Sequence, residues 1–198
     1  MSFEENLKNF RFADDSRDVF DACLRFASFL EKNGIKELQI YLEGAFKFYA
    51  AFFGSLLAGA APCVLAKPIY EVNLTAVNDE NFLNFLANEP AKGLKFDLQA
   101  KFYLQTSGSS GKSKMIEKTL AQMIKESEYL VAELNFSARN TFFSSVSHRH
   151  MFGLTFKVFL PLVLGARVIA DELNYPEAIL GLNLANHVFI ASPVLLRT

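Results

Sequence analysis

Hydrophobic positions near the start of the chain follow a helical period. Between residues 19 and 30 they recur every three or four residues, which predicts an amphipathic helix. These positions are Val19, Phe20, Cys23, Leu24, Ala27 and Leu30. Asp15 or Ser16 is placed to cap the start of this helix, and Asn33-Gly34 to end it.

Short apolar segments and helical segments alternate along the rest of the chain. Strands are predicted at 38–42, 63–65, 102–104, 141–146, 167–170 and 187–190. Helices are predicted at 45–58, 79–88, 119–134, 152–164 and 176–183. Alternation of this kind predicts an α/β fold in which a parallel sheet is flanked by helices.

One apolar run allows two interpretations. Residues 48–66 are 19 positions without a charge, between Lys47 and Lys67, and that length would suffice for a membrane span. Two glycines, a serine and a proline interrupt the run. A buried helix that leads into a buried parallel strand produces the same pattern. We favour this second interpretation, which predicts no membrane span.

Composition indicates a packed globular chain. Hydrophobic residues make up 51% of the 198 positions, and 21 residues are phenylalanine. The net charge of −1 argues against a nucleic-acid surface. Cys23 and Cys63 stand alone, so neither a disulfide framework nor a metal site is predicted. The acidic N-terminus has no signal-peptide pattern, and the predicted location is cytoplasmic.

A loop rich in glycine and hydroxyl side chains spans residues 105–114, which read Gln-Thr-Ser-Gly-Ser-Ser-Gly-Lys-Ser-Lys. Gly108 and Gly111 let the backbone turn and bring amide groups close to an anion. The hydroxyls and two lysines add donors and positive charge. A predicted strand precedes the loop and a predicted helix follows it. The pattern therefore predicts a phosphate site supported by a helix N-terminus.

Two other interpretations of this loop are open. The P-loop pattern, G-x-x-x-x-G-K-[ST], matches at Gly111-Lys112-Ser113 but needs a first glycine at Thr106, so its register fails. A flexible serine-glycine linker would have a similar composition. The strong strand and helix patterns on both sides of the loop favour a phosphate site over a linker.

The loop resembles the signature of the acyl-adenylate-forming superfamily, roughly T-S-G-[ST]-[ST]-G-x-P-K. It departs from that pattern only at Ser113, where the family has proline. The resemblance implies that the loop binds the ATP phosphates, with Lys114 as a catalytic lysine. The phosphate-binding residues that it implies are Thr106, Ser107, Gly108, Ser109, Ser110, Gly111 and Lys114.

A second segment, residues 145–153, reads Ser-Val-Ser-His-Arg-His-Met-Phe-Gly and follows a predicted strand. Ligands of open parallel sheets bind at this end of the strands. Two histidines alone make a weak metal site, and loop histidines often serve only local hydrogen bonds. His150 to Gly153 also resembles the H-x-x-G segment of the same superfamily. This implies an acyl-substrate pocket at His148, His150 and Gly153, with His150 catalytic.

The resemblance covers the whole chain and implies its role. Residues 1–198 are expected to be the N-terminal portion of the adenylation domain, without the C-terminal half and the small lid domain. The implied reaction converts a carboxylic acid and ATP, with Mg²⁺, into an acyl-adenylate and pyrophosphate, and then transfers the acyl group to the thiol of coenzyme A or an acyl carrier protein.

The finer resemblance is to ligases of aryl-polyene and fatty-acid type. Residues 147–154 and 191–196 carry it. The 198 residues alone are expected to be inactive, whether they are a truncated product, a piece of a larger enzyme or one chain of a split enzyme. The alternative from another class is a non-catalytic, degenerate domain that binds a partner.

Overall fold

The computed structural model describes residues 2–106, 114–173 and 186–191. The chain divides into two compact units. We call residues 18–123 the large-sheet unit, and residues 1–17 with 124–198 the small-sheet unit. Each contains a mainly or wholly parallel sheet, and the predicted α/β class is confirmed.

The described elements alternate along most of the chain. The α-helices are α1 (Phe3–Asn9), α2 (Val19–Lys32), α3 (Ala45–Leu57), α4 (Leu120–Leu134), α5 (Met151–Gly153) and α6 (Leu160–Leu164). The strands are β1 (Glu37–Tyr41), β2 (Ala61–Val64), β3 (Thr75–Asn78), β4 (Lys101–Thr106), β5 (Lys114–Thr119), β6 (Thr141–Ser144), β7 (Arg167–Glu172) and β8 (His187–Ile190). A 3₁₀ turn covers Phe82–Phe85, and a π-helical segment covers Leu154–Phe159.

The large-sheet unit is built on five strands in the order β3-β1-β2-β4-β5. The first four are parallel, and β5 pairs antiparallel with β4. One face of the sheet is apolar because Leu38, Ile40, Phe102 and Leu104 alternate with polar residues and are fully buried. Phe52 of α3 meets Phe102 of β4 on this face, with ring centroids 5.0 Å apart.

The helices of this unit come into close contact at Gly54. A Cβ atom at that position would lie 2.7 Å from the Cys23 carbonyl oxygen of α2, so only glycine lets the two helices approach this closely. The apolar run at 48–66 is therefore a buried helix followed by a strand. No helix in the described part of the chain is long and apolar enough to cross a membrane.

The glycine-rich loop has a different setting from the predicted one. Strand β5 lies between the loop and α4, so the order is strand, loop, strand, helix. The prediction of a helix N-terminus directly after the loop is wrong. An edge strand with four exposed residues, Lys114 to Glu117, carries little apolar signal, and its pairing with β4 decides its conformation.

The small-sheet unit contains three parallel strands in the order β7-β6-β8. The predicted helix at 152–164 is confirmed as α5, the π-helical segment and α6 in succession. Pro161 lies in the first turn of α6, directly after the π-helical segment. Gly165 ends α6 in the left-handed conformation, with φ of 68°.

Other differences from the predicted elements are local. Helix α2 is capped by Asp18, because this carboxylate accepts a hydrogen bond from the Asp21 amide at 2.9 Å. The segment predicted as a helix at 79–88 contains only the 3₁₀ turn, and strand β3 precedes it. Helix α1 was not predicted, although Ser2 and Glu5 form a capping box there. The helix predicted at 176–183 lies outside the described residues.

Candidate functional sites

Thr106 and Lys114 hold the two ends of the glycine-rich loop together. They are the last residue of β4 and the first of β5, and they are partners in the antiparallel register. The Thr106 hydroxyl donates a hydrogen bond to the Lys114 carbonyl oxygen at 3.3 Å. Because β4 runs parallel to β2, the loop begins at the carboxyl edge of the parallel strands. Ligands of α/β sheets bind at this edge.

Lys114 supplies a positive charge beside the loop. Its side chain is exposed. Within the described ranges, no carboxylate forms an ion pair with it. An ammonium group in this position is available to an anionic ligand and suits the oxygens of a phosphate chain. The remaining predicted phosphate-binding residues, Ser107 to Gly111, lie outside the described residues.

A cavity of about 290 Å³ lies on the second face of the large sheet, next to the loop. Gln105 and Met115 line it, and each is the chain neighbour of a residue that closes the loop. Cys63 and Tyr103 line it from β2 and β4. Burial raises the pKa of the Cys63 thiol to about 11, so this thiol is a weak nucleophile at neutral pH.

Two glutamines, which the sequence analysis did not select, form hydrogen bonds with residues 66 and 71, at the two ends of a segment that lines part of this cavity. Gln39 is 1% exposed, and its amide exchanges two hydrogen bonds with the backbone of Glu71, at 2.9 and 3.3 Å. Gln105 accepts a hydrogen bond from the Ala66 amide at 3.1 Å. The available signal was a polar residue inside each apolar strand, which marks a face that does not pack against helices.

The histidine segment follows β6 in the small-sheet unit. His148 is fully buried, whereas His150 is exposed. His150 precedes α5 with an extended backbone, and its carbonyl accepts a hydrogen bond from the Leu154 amide at 2.7 Å. The segment therefore presents His150 to solvent at the start of a helix. His148 is enclosed by the protein and supports the segment from within.

Gly153 is required because two parts of the backbone approach each other at this point. A Cβ atom there would lie 2.1 Å from the Ser147 carbonyl oxygen, which is far inside van der Waals contact. The first turn of the helix can therefore pack against the loop that carries the histidines only with glycine at 153. This packing gives the histidine-x-x-glycine spacing a physical reason.

Buried polar groups form hydrogen bonds in the elements before and after the histidine segment. The Ser144 hydroxyl is fully buried and accepts a hydrogen bond from the Val146 amide at 2.8 Å. Lys157, in the π-helical segment, is also fully buried and donates to the Ala170 carbonyl at 3.2 Å. Burial lowers the pKa of Lys157, and the nearby carboxylates, Glu172 foremost, oppose that shift. Sequence periodicity does not distinguish this lysine from a solvated one.

Solved structures with the same architecture include a CoA synthetase in complex with its acyl-adenylate intermediate. One is o-succinylbenzoate CoA synthetase (MenE) from Bacillus subtilis with its acyl-adenylate intermediate, at a TM-score of 0.79 and 14% identity, over 98% of this chain and 63% of that one. The N-terminal subdomain of Klebsiella oxytoca NpsA, bound to 3-hydroxybenzoyl-AMSN, matches at a TM-score of 0.68 and 16% identity. The match covers 90% of this chain and 54% of that one. VinN with 3-methylaspartate matches at a TM-score of 0.67 and 14% identity, over 86% of this chain and 61% of that one.

The chain has the fold of the N-terminal part of the adenylate-forming enzymes. The resemblance seen in the sequence is thus confirmed at the level of the fold. No protein-family model matches the sequence. The chain spans 63% of the MenE chain, and MenE has also been solved with ATP and a magnesium ion.

In this adenylate-forming fold, the predicted site residues fall into two groups. Thr106 and Lys114 meet across the hairpin of the large-sheet unit. His148, His150 and Gly153 share one short segment of the small-sheet unit. Each group follows the carboxyl end of a strand in a parallel pair. The roles assigned to these residues remain predictions.

Proposed function

We propose that these 198 residues are the N-terminal portion of an enzyme that activates a carboxylic acid with ATP. An oxygen of the carboxylate attacks the α-phosphorus, the bond to the departing pyrophosphate breaks, and an acyl-adenylate forms. The acyl group then passes to the thiol of coenzyme A or of a carrier protein, and AMP is released. In this proposal the large-sheet unit holds the phosphates and the histidine segment belongs to the acid pocket.

One observation carries the proposal: the hairpin that closes the glycine-rich loop between Thr106 and Lys114 at the carboxyl edge of the sheet. The loop itself carries the adenylate-forming signature in its sequence. The fold likeness to enzymes of this class supports the same function independently of that signature. A linker would not need its two ends fixed by strand pairing.

The charges of the described residues suit this chemistry. An anionic acid must approach a triphosphate, so the phosphate charge has to be neutralised. Lys114 would be the side-chain donor at the base of the loop, because the Thr106 hydroxyl already donates its hydrogen to the Lys114 carbonyl oxygen. Magnesium would supply further neutralisation of the phosphate oxygens when bound.

The proposal is tested by carboxylate-dependent exchange of pyrophosphate into ATP, measured over aryl and fatty acids. A full-length enzyme that contains these residues should show exchange, and the 198-residue chain alone should stay at background. In the full-length enzyme, Lys114→Ala should lower kcat by about 10²- to 10³-fold, as expected for loss of one donor to the developing charge.

The matched control is Lys92→Ala, which removes an equal charge from an exposed position of the same unit. Its exchange rate should stay within about twofold of the unaltered enzyme, because Lys92 belongs neither to the hairpin that closes the loop nor to the lining of the neighbouring cavity. Equal losses in the two variants would contradict a specific role for Lys114. Absence of exchange with every acid in the full-length enzyme would contradict the proposed reaction.

A further inference from the structure

Lys157 is a buried lysine to which the proposed reaction gives no role. Its side chain is fully buried, and so are Leu154, Val158 and Phe159 in the same π-helical segment. Its ammonium group donates a hydrogen bond to the Ala170 carbonyl oxygen at 3.2 Å. Burying an ammonium group costs free energy, and a methionine would fill a similar volume without that cost. Packing alone therefore does not explain a lysine at this position.

Strand β7 is irregular at the point where this ammonium group reaches it. Phe142 pairs with Val168, and Ser144 pairs with Glu172. Two residue steps on β6 therefore lie opposite four on β7, and the two extra residues form a bulge that contains Ala170. Bulges occur often beside active sites, where they change the direction of a strand or of a side chain. Here the bulge lies opposite the end of β6, from which the histidine segment (residues 145–153) continues.

Charged side chains from two other elements bind the backbone of the bulge. The Asp14 carboxylate accepts a hydrogen bond from the Ala170 amide at 2.7 Å, and Lys157 donates to the carbonyl of the same residue. The carboxylates of Glu172, Asp14 and Asp171 lie near the ammonium group and favour its charged form. Lys157 therefore connects the irregular part of the helix to the irregular part of the strand.

The π-helical form of residues 154–159 has a local cause that does not involve the charge of Lys157. The Leu160 amide donates to the Thr155 carbonyl, five residues earlier, which is the π-helical spacing. Pro161 follows, and in an α-helix its ring would clash with the carbonyl of residue 157. The wider turn moves that carbonyl out of the α-helical position. It does not require an ammonium group in the side chain of the same residue.

The π-helical segment is in direct contact with the histidine segment. The Leu154 amide donates to the His150 carbonyl oxygen at 2.7 Å. Gly153 packs so closely against the Ser147 carbonyl that a Cβ atom would not fit. A rotation or shift of the π-helical segment therefore moves the backbone of His150 and of the loop before it.

We propose that Lys157 is a positioning residue for the acid pocket, because it holds the π-helical segment on the β7 bulge and so fixes the direction of His150. The acid pocket belongs to the proposed function, on which this inference therefore rests. An apolar side chain at 157 would pack in several rotations of the segment. An ammonium group has to stay beside the Ala170 carbonyl and the carboxylates, so it specifies one rotation.

The structural test is amide NMR of the 198-residue chain with Lys157→Met, which keeps the volume and removes the charge. The midpoint of urea unfolding should not fall, because Asp14 and Asp171 are exposed and stay hydrated. Amide shifts should extend from the bulge to residues 147–153. Lys125→Met, which changes an exposed lysine of the same unit, should produce no shifts there.

Two results of this measurement would overturn the proposal. Shifts confined to residues 156–158 and 170–172 would show that the histidine segment does not depend on the lysine. A chain that unfolds at lower urea or fails to fold with Lys157→Met would show that the lysine serves folding and not positioning.

Kinetics of the full-length enzyme test the consequence for the acid. Lys157→Met should raise KM for the acid by about five- to tenfold, and kcat and KM for ATP should stay within about twofold. In the double variant with His150→Ala, Lys157→Met should add less than about twofold, because it acts through His150. Additive effects, or equal changes in KM for the acid and for ATP, would overturn the proposal.

The two measurements distinguish failure of this inference from failure of the proposed function. If the unaltered full-length enzyme shows exchange but the histidine segment does not shift in Lys157→Met, only the role of Lys157 is wrong. If the unaltered enzyme shows no exchange with any acid, the proposed function is wrong and the role of Lys157 in the acid pocket falls with it.

Discussion

At the scale of single residues, the two histidines of the 145–153 segment have opposite environments. His150 is exposed where the helix begins, and His148 is fully buried two positions earlier. Only an exposed side chain can touch a bound acid without rearrangement of the loop. The structure thus separates a candidate for substrate contact from a candidate for support.

We expect His150→Ala to change the kinetics of a full-length enzyme and His148→Ala to change the stability of the fold. In a full-length enzyme, His150→Ala should raise KM for the acid severalfold with little change in the free energy of unfolding, because an exposed contact to substrate is lost. His148→Ala should lower the free energy of unfolding by about 1–3 kcal/mol, since it empties a buried position. Kinetics over an acid panel and urea unfolding measure the two effects. An exchange of these effects would show that His148 contacts the acid.

Cys63 allows a test of the environment beside the phosphate loop. Its pKa is raised to about 11, chiefly by burial, with Glu71 adding to the shift. Only the thiolate reacts with iodoacetamide, so the alkylation rate should rise about tenfold per pH unit up to that value. Mass spectrometry of folded protein measures the rate, and Cys63→Ser is the control. A rate that levels off near pH 8.5 would show that Cys63 is solvated.

The raised pKa of Cys63 also determines the direction in which the free energy of unfolding changes with pH. Between the ordinary thiol pKa and about 11, the folded state holds a proton that the unfolded state has lost. The contribution of Cys63 to the free energy of unfolding is therefore fully present below the pKa of the unfolded state. It is lost as the pH rises through the pKa of the folded state.

At the scale of elements, the start of α5 depends on its contact with the histidine loop. Gly153→Ala would place a Cβ atom 2.1 Å from the Ser147 carbonyl oxygen, a backbone atom that cannot move independently. We expect the free energy of unfolding to fall by about 1–3 kcal/mol, as in other overpacked sites. Urea unfolding followed by circular dichroism measures the loss.

Gly44→Ala is the matched control for this change. A Cβ at Gly44 would meet only Asp79 Oδ1 at 3.7 Å, an ordinary contact, and its φ of −72° suits any residue. The cost should stay within about 1 kcal/mol, mostly from a poorer helix cap. Equal costs at the two glycines would contradict the close packing of α5 on the histidine loop.

Local patterns predict the elements that bury a strong apolar face. Helix α2 has that pattern, and its predicted end at Asn33 is confirmed; the cap differs because Asp18 lies directly before the first helical residue. Strand β5 escapes prediction because four of its six residues are exposed and its partner is β4. A single sequence carries no direct record of that pairing.

The candidate site also contains features that the local sequence predicts and contacts that it does not. The loop at 107–113 and the spacing from His150 to Gly153 are visible in the sequence because glycine and hydroxyl residues have few other reasons to cluster. The contacts of Gln39 and Lys157 depend on residues distant along the chain, Glu71 and Ala170 respectively. Such contacts follow from the tertiary fold and not from local periodicity.

At the scale of the whole molecule, both units place their candidate residues just beyond the carboxyl ends of parallel strands. This is the edge at which α/β sheets bind ligands, because the loops there vary without disturbing the strands. The described residues thus present two candidate sites, and we propose phosphate as the ligand of one and an acid as the ligand of the other. The proposed function assigns both sites to one reaction.

The most direct test of this account is a residue-resolved titration of the 198-residue chain with ATP and Mg²⁺. Amide shifts should concentrate at Thr106, Lys114 and residues 107–113 between them. Binding should be millimolar, about −4 kcal/mol, because the chain covers only part of the length of its structural relatives. Lys114→Ala should weaken it about tenfold, and Lys92→Ala should not. Absence of shifts at saturating ATP, or shifts concentrated elsewhere, would contradict the assignment of this loop as a phosphate site.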